Sequence, residues 1–218
     1  MVKRAIVAGA GGMTGGELLS VLLSEPGYDE VLILVRKELK IAHPRLKQLV
    51  VNFDEPASYA DFIKGDVIFC CLGSTLKKTP DLKDYRKVDH DYPLQLAEAG
   101  VRNGVNQYHL VSSIGANIKS SNFYTRMKGE TEEDLKKTGI PGIHIYQPSF
   151  LTGDRKEQRP RERFFVALMR IIDPLLLGGL KKYRSIQAAT VANAMYRQSL
   201  KNEKGIHTYS SDKIKELA

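Results

Sequence analysis

A tyrosine and a lysine four residues apart have the spacing and the chemistry of an acid–base pair. They are Tyr124 and Lys128, and on a helix this spacing places both side chains on one face. An ammonium group beside a phenol favours the phenolate and lowers the phenol pKa from its ordinary value of about 10. The pair could therefore exchange a proton with a substrate near neutral pH.

Two adjacent serines offer hydroxyl groups next to this pair. Ser112 and Ser113 follow the apolar stretch Tyr108–Val111, which has the composition of a buried strand. Ligands of open parallel sheets bind at the carboxyl ends of the strands, and the segment that carries Tyr124 comes next in the chain. A tyrosine and a lysine at this spacing usually lie by chance on a solvated helix face. The position after the serines favours a functional site instead.

A glycine-rich turn near the N-terminus has the pattern of a nucleotide site. Gly9, Gly12 and Gly15 recur every third residue between a predicted strand and a predicted helix. Glycine permits a tight turn, close approach of the backbone to a pyrophosphate, and packing of helix on strand. Met13 and Thr14 stand where the helix begins, and its free N–H groups are predicted to bind phosphate.

An arginine follows the second predicted strand. The strand Val31–Val35 ends at Arg36, where a site for NAD usually has an acidic residue that binds the ribose 2′-hydroxyl. A guanidinium group there favours a 2′-phosphate instead. The sequence therefore predicts a preference for NADP(H), with NAD(H) left possible.

Short apolar runs alternate with segments of helical period along the first two thirds of the chain. The alternation, and strands without a polar face, predict a Rossmann-type, doubly wound α/β fold with a mostly parallel sheet and helices on both faces. The predicted strands are Arg4–Ala8, Val31–Val35, Gln48–Val51, Val67–Leu72, Tyr108–Ser112 and Gly142–Tyr146. The predicted helices are Thr14–Ser24, Tyr59–Ile63, Asp84–Asn103 and Asn122–Lys137.

The pattern changes after Tyr146. Glu162–Ile172 and Ala188–Leu200 are amphipathic, and Ile206–Tyr209 could add a strand. We expect one domain over residues 1–218, in which residues 148–218 contribute a small substrate-side appendage.

The composition is that of a folded domain without a membrane span. No apolar run approaches the roughly 20 residues that cross a bilayer. Cys70 and Cys71 are adjacent in an apolar run, which is typical of buried thiols in a reducing, cytoplasmic compartment. Neither they nor the scattered histidines have the spacing of metal ligands, so no metal site is expected.

Basic residues concentrate in the last third. The net charge is +8, and residues 151–218 hold 14 Lys/Arg against 7 Asp/Glu. Because acidic residues are mixed in and stacking aromatics are lacking, a solvated surface is favoured over nucleic-acid binding. The expected partner is a small-molecule substrate, while a protein partner and the oligomeric state are left open.

Taken together, these residues resemble the short-chain dehydrogenase/reductase superfamily in its atypical branch. The resemblance rests on the glycine spacing, the serine pair at a strand end and Tyr124-x-x-x-Lys128. Further segments resemble the Tat-interactive oxidoreductase group and its bacterial relatives, namely Phe69–Thr75, Ser112–Ala116, Ser120–Phe123, Lys128–Glu130 and Pro148–Arg155.

The resemblance implies roles for the site residues. Tyr124 would be the acid/base, Lys128 would lower its pKa and hold the nicotinamide ribose of NADP(H), and Ser113 would orient the substrate. Ser112 is the second choice for that last role and a further cofactor contact. The other implied cofactor contacts are Leu72, Gly73 and Ser74 after the fourth strand, Asn52 and Phe53 after the third, and Pro148 and Ser149 after the sixth.

One position departs from the pattern of the superfamily. Its members often carry an asparagine in the helix after the fourth strand, where this chain reads Val88-Asp89. A proton relay organised by that asparagine is therefore in question.

The leading hypothesis for function is an NADPH-dependent oxidoreductase that reduces a small carbonyl or quinone-like substrate. A regulatory sensor that binds NADP(H) without turnover is the first alternative, because a dinucleotide fold does not fix the chemistry. A nucleotide-sugar epimerase or dehydratase is the second alternative. It ranks lower because few residues follow the sixth strand, and a nucleotide-sugar needs a larger substrate lobe. Nucleic-acid binding through the basic last third comes last.

Overall fold

Seven parallel strands form the central sheet of the computed structural model, which describes residues 2–153 and 173–218. The strands in these ranges are Arg4–Ala8 (β1), Glu30–Val35 (β2), Leu46–Val50 (β3), Val67–Cys70 (β4), Gln107–Val111 (β5), Gly142–Gln147 (β6), Leu151–Thr152 (β7), Ile186–Gln187 (β8) and Gly205–Ser210 (β9). The sheet order is β3-β2-β1-β4-β5-β6-β9, and β7 pairs separately with β8. Since neighbouring strands run parallel, their carboxyl ends share one edge.

Helices connect most of the strands, and one helix follows β9. They are Met13–Ser24 (α1), Leu82–Arg86 (α2), Tyr92–Arg102 (α3), Phe123–Lys136 (α4), Ala188–Lys201 (α5) and Ser211–Leu217 (α6). A π turn, Lys87–Asp91, links α2 to α3. Short 3₁₀ turns lie at Pro56–Ser58, Ala60–Phe62, Asp173–Leu175 and Gly178–Tyr183.

The central strands β1, β2 and β4 are apolar on both faces because helices cover both faces. In β1, Ala5 and Val7 join one buried cluster with α1 and α5, while Ile6 and Ala8 join another with α3. Successive residues of a strand point to opposite faces, so a sheet covered on both sides has no place for polar alternation. The doubly wound α/β fold predicted from the sequence is confirmed.

Two predicted helices differ from the structure. The helix predicted at Tyr59–Ile63 is wrong, because Tyr59 separates two 3₁₀ turns with φ −128°, outside the helical range. The single helix predicted at Asp84–Asn103 is divided into α2, the π turn and α3. The predicted ends of the other elements lie within one or two residues of those observed, which is usual for element boundaries.

A proline explains this division. Pro93 has no N–H group to donate to the carbonyl of Asp89, four residues earlier. The Thr131 hydroxyl on α4 shares its proton between that carbonyl, at 3.0 Å, and the Met127 carbonyl, at 2.9 Å. The Tyr92 N–H reaches back five residues to the Lys87 carbonyl. The π turn therefore accommodates a missing hydrogen bond and is tied to α4.

The last third of the chain both completes the sheet and reaches its carboxyl edge. Strand β9 extends the sheet beside β6, α5 packs against α1 in one of the two cores, and β7 follows the carboxyl end of β6. The amphipathic segment predicted at Glu162–Ile172 lies outside the described residues. The substrate-side role of residues 148–218 stays a prediction.

Each helix within residues 2–153 and 173–218 is too short or too polar to span a lipid bilayer. The same ranges contain no cluster of histidine, cysteine and carboxylate side chains that could hold a metal ion.

Candidate active site

The glycine turn after β1 is packed too closely for larger residues at two positions. Gly9 has φ +88°, and a Cβ atom there would lie 2.5 Å from the carbonyl oxygen of Cys71. A Cβ atom on Gly15 would overlap the carbonyl of Gly9, and one on Gly12 would lie 3.2 Å from the same oxygen. Because the three glycines have no side chains, the turn, the start of α1 and the end of β4 can pack closely together. The predicted dinucleotide site requires this packing.

The N-terminus of α1 has the electrostatic character of an anion site. Gly12 is its N-cap and has no side chain to accept from the first N–H groups, and the first turn holds no acidic residue. Met13 and Thr14 begin this 12-residue helix, so its free N–H groups and the positive end of its dipole could receive a pyrophosphate. The close packing of Gly9 and Gly15 and this uncapped helix fit a dinucleotide cofactor.

The loop after β4 is held by hydrogen bonds at Ser74. The Ser74 N–H donates to Asp89 Oδ2 at 2.8 Å, the Tyr85 phenol donates to the Ser74 carbonyl at 3.1 Å, and the Ser74 hydroxyl pairs with that of Thr79 at 2.6 Å. The predicted contacts Leu72 and Gly73 precede Ser74, and the backbone of Leu72 approaches Gly9. The loop is thus fixed beside the glycine turn.

Tyr124 and Lys128 share one face of α4. The Asn122 side chain caps this helix and accepts from the N–H groups of Tyr124 and Thr125. Tyr124 is 37% exposed, whereas the Lys128 side chain is only 5% exposed. The phenol therefore faces a region open to solvent, and the ammonium group lies behind it in the protein.

A buried carboxylate forms an ion pair with the Lys128 ammonium group. Its Nζ lies 2.8 Å from Oδ1 of Asp89, whose side chain is 1% exposed. Burial favours the neutral amine, but the charge of Asp89, and after it that of Tyr124, outweigh burial and raise the pKa of Lys128 above its ordinary value. Lys128 is an ammonium group near neutral pH, close enough to Tyr124 for their charges to interact.

The two serines after β5 have different environments. The buried Ser112 hydroxyl donates to Glu132 Oε1, and the Gln147 amide donates to both oxygens of the same carboxylate at 3.0 and 2.9 Å. The Ser113 hydroxyl, in contrast, makes one long hydrogen bond within the described ranges, 3.3 Å to the Ile114 carbonyl. Among the described residues, Ser113 is therefore the serine whose hydroxyl has only a weak hydrogen-bond partner.

The segment after β6 lies beside these serines. The Ile114 N–H donates to the Pro148 carbonyl at 2.9 Å, and the Ser149 N–H donates to the Ser211 hydroxyl at 2.7 Å. Further along, a Cβ atom on Gly153 would lie 3.3 Å from the sulfur of Met13. This segment therefore connects the serine side of the site with the glycine turn.

The remaining predicted cofactor residues lie toward β2 and β3. Arg36 is exposed at the end of β2 and has no partner among residues 2–153 and 173–218. Asn52 bonds to the Glu55 carboxylate at 2.9 Å, and the Phe53 ring is buried and stacks on Tyr92 with 5.3 Å between centroids. The Phe53 side chain thus belongs to the core. The cofactor roles of these three residues stay predictions.

A family comparison decides the class of ligand. The protein family described as NAD(P)H-binding matches residues 9–198, from the glycine turn through most of α5. The chain is a member of this NAD(P)H-binding family.

Curated relatives of this NAD(P)H-binding protein agree with the resemblance found in the sequence. It is 34% identical to Protein HTATIP2 of Rattus norvegicus over 174 residues, which cover 76% of this chain and 72% of the relative. It is 31% identical to the mitochondrial protein fmp52 of Aspergillus clavatus over 216 residues, covering 94% and 91%. The resemblance to the Tat-interactive group is confirmed. The predicted cytoplasmic location stays a prediction, because the fungal relatives are named mitochondrial proteins.

Solved structures show the same fold at low sequence identity. The enzyme WbmH of Bordetella bronchiseptica, in complex with NAD+, has a TM-score of 0.72 and 16% identity, over 99% of this chain and 79% of WbmH. A UDP-N-acetylglucosamine 4-epimerase of Methanobrevibacter ruminantium has a TM-score of 0.71 and 17% identity, over 96% and 76%. These likenesses establish the Rossmann-like architecture of the NAD(P)H-binding chain.

Two carboxylates of the site were not among the predicted site residues. In the sequence Asp89 stands out only as a departure from asparagine, and nothing in its sequence context indicates that it pairs with Lys128. Glu132 follows Lys128 by four residues, so the helical spacing that joined Tyr124 to Lys128 also places Glu132 on that face. The spacing of one further helical turn is therefore the sequence signal for Glu132.

Proposed function

We propose that this NAD(P)H-binding protein is an NADPH-dependent oxidoreductase that reduces a small carbonyl or quinone-like substrate. The observation that carries the proposal is the buried Lys128 ammonium group behind the accessible Tyr124 phenol. Ser113, with its weakly bonded hydroxyl, lies at the end of the neighbouring strand. A protein that only bound the cofactor would have no need of this acid–base arrangement.

The side chains divide the work of reducing a carbonyl group. The glycine turn at Gly9, Gly12 and Gly15 would hold NADPH, which would be the source of the hydride. The Ser113 hydroxyl donates a hydrogen bond to the carbonyl oxygen and orients it, while the Tyr124 phenol delivers the proton that this oxygen acquires. Lys128 stabilises the phenolate that remains, and the exposure of Tyr124 lets solvent return the proton. The products are an alcohol and the oxidised cofactor.

The preference for NADPH rests on Arg36. It follows β2, where the carboxyl edge of the sheet meets the adenine side of a dinucleotide in folds of this class. Its guanidinium group is exposed and has no partner in residues 2–153 and 173–218, so it can bind a 2′-phosphate without breaking another contact among them.

Replacing Tyr124 tests the proposed reaction. The protein and Tyr124→Phe are mixed with NADPH and a panel of aldehydes, ketones and quinones, and the absorbance of the reduced nicotinamide is followed. We expect Tyr124→Phe to lower kcat/KM by about 10²- to 10⁴-fold and to leave NADPH binding unchanged. The matched control is Tyr209→Phe, on the edge strand β9, which should retain full turnover.

Other outcomes distinguish the alternatives. If NADPH binds tightly and no compound of the panel is reduced, the protein is a nucleotide sensor. If nucleotide sugars are converted without net change in cofactor absorbance, it is an epimerase, an activity named for one protein of similar fold. Full turnover by Tyr124→Phe would contradict the role assigned to the phenol.

A further inference from the structure

Asp89 is the most completely buried charged group of the site. Its carboxylate receives two hydrogen bonds, 2.8 Å from Lys128 Nζ to Oδ1 and 2.8 Å from the Ser74 N–H to Oδ2. One oxygen therefore holds the side chain behind the phenol, and the other holds the backbone of the loop after β4. Neither bond is easily replaced by water, since the side chain is 1% exposed.

The π turn fixes the backbone that carries this carboxylate. Pro93 leaves the Asp89 carbonyl without its usual helical donor. The Thr131 hydroxyl, on the helix that carries Lys128, lies 3.0 Å from this carbonyl and shares its proton with the Met127 carbonyl at 2.9 Å. Asp89 thus contacts α4 through its side chain and through its main chain. π turns interrupt helices at a cost in regular hydrogen bonding and are frequent at functional sites.

Several ionisable groups besides Asp89 lie near Lys128. Tyr124 and Glu132 face Lys128 from its own helix, Tyr85 from α2 and Cys70 from β4. Within residues 2–153 and 173–218, only Asp89 forms an ion pair with it. A lysine paired with a carboxylate attracts a phenolate less strongly than an unpaired lysine, because the fields of the two charges partly cancel.

We propose that Asp89 is a positioning residue that sets how strongly Lys128 acts on Tyr124 and couples that action to the loop at Ser74. Without the Asp89 charge, the buried Lys128 ammonium group would lose its counterion. Tyr124 would then ionise more easily, because its phenolate would become the counterion of Lys128. The carboxylate therefore keeps Tyr124 protonated, the form that a proton donor needs. The kinetic part of this inference rests on the proposed carbonyl reduction; the ionisation of Tyr124 does not.

The test is a spectroscopic pH titration of the free protein. Phenolate absorbance is recorded for the wild type and for Asp89→Asn, which keeps an acceptor for the Ser74 N–H, and each spectrum has that of its Tyr124→Phe counterpart subtracted. Burial raises the pKa of seven of the ten tyrosines, to about 12 for Tyr59, Tyr92 and Tyr209. The subtraction therefore separates the Tyr124 step from those of the other tyrosines.

We expect the Tyr124 step of Asp89→Asn to lie about one pH unit or more below that of the wild type, the size of shift that a nearby charge produces. The matched control is Asp91→Asn, in the same π turn, whose carboxylate bonds to His90 and should leave the step unchanged. Coincident steps in the wild type and Asp89→Asn would overturn the proposal.

A lysine-free background shows whether Asp89 acts through Lys128. In Lys128→Met, adding Asp89→Asn should move the Tyr124 step much less than it does in the wild type. An equal shift in both backgrounds would overturn the proposal. The double variant Lys128→Met/Asp89→Asn has neither charge of the buried ion pair. Its Tyr124 step therefore remains measurable if Asp89→Asn alone unfolds.

The kinetic readout separates this inference from the proposed reaction. Carbonyl reduction needs protonated Tyr124, so kcat/KM falls as pH rises through its pKa, and Asp89→Asn should move that fall to lower pH by the same amount as the optical step. If no compound is reduced, the proposed function fails while the optical titration still decides the role of Asp89.

Discussion

The Ser112 hydroxyl donates a hydrogen bond to the buried carboxylate of Glu132, although its neighbour Ser113 has no such partner in the described ranges. Burial raises the pKa of Glu132, but hydrogen bonds from Ser112 and Gln147 counteract part of that effect. The carboxylate and its two donors form a closed network behind the site.

Replacing each serine by alanine should separate catalysis from stability. Ser113→Ala should lower kcat/KM by about 10²- to 10³-fold, the usual cost of losing one donor to a reacting oxygen, with little change in the free energy of unfolding. Ser112→Ala should destabilise the protein by about 1 to 3 kcal/mol, since it deprives a buried carboxylate of a donor. Steady-state kinetics and denaturant unfolding measure the two effects, and the opposite assignment would contradict the choice of Ser113.

Replacing Arg36 by alanine should change the cofactor preference. A hydrogen-bonded charge pair contributes about 1.5 to 3 kcal/mol, so the Kd for NADPH should rise by about 10- to 100-fold while that for NADH stays nearly constant. Fluorescence titration of the reduced cofactors measures both constants. Arg102→Ala, an exposed arginine at the end of α3, is the control. A parallel weakening of NADPH and NADH would contradict a 2′-phosphate contact.

Alanine at two glycines of the turn should have opposite consequences. In Gly15→Ala the new Cβ atom would overlap the Gly9 carbonyl, so we expect a loss of about 3 kcal/mol or more in stability, the upper range for overpacking, together with weaker NADPH binding. In Gly11→Ala the nearest atom would be Leu39 Cδ2 at 3.7 Å, an ordinary contact, so stability should change by less than about 1 kcal/mol. Thermal unfolding and NADPH titration test this pair, and equal effects would refute the packing argument.

Stacked histidines should make the fold sensitive to acid. The rings of His109, His144 and His207 stack across β5, β6 and β9, with 4.3 and 4.8 Å between centroids. Burial lowers the pKa of His144 to about 4 and that of His109 well below its ordinary range.

The sign of this dependence follows from proton binding. Because the unfolded chain binds protons at His109 and His144 near pH 6.5 and the folded protein does not, stability is full above that pH and falls as pH drops toward 4. For His144 alone the loss between pH 7 and pH 5 should be about 2 kcal/mol. Urea unfolding at several pH values measures this loss of stability. In His144→Gln, the loss between pH 7 and pH 5 should be smaller by that amount. An unchanged slope would contradict the buried, neutral state of His144.

Much of the fold could be predicted because its signals are local. The apolar runs gave six of the seven strands of the central sheet within two residues of their observed ends, and the possible strand at Ile206–Tyr209 is β9. The helix predicted at Tyr59–Ile63 failed because a five-residue apolar spacing does not distinguish a helix from successive tight turns. The division at Lys87–Asp91 depends on Pro93 and on a hydroxyl from α4, of which only the first is visible nearby in the sequence.

By itself, the sequence determined the glycine turn, the shared helical face of Tyr124 and Lys128, and the serines at a strand end, because each depends on residues that are neighbours along the chain. Only the tertiary structure decided that Asp89 pairs with Lys128, that Glu132 binds Ser112 and leaves Ser113 available, and that Phe53 belongs to the core. These choices depend on which side chains the folding of distant segments brings within hydrogen-bond distance away from water, where an unpaired charge or donor is costly. No spacing along one chain specifies such partners.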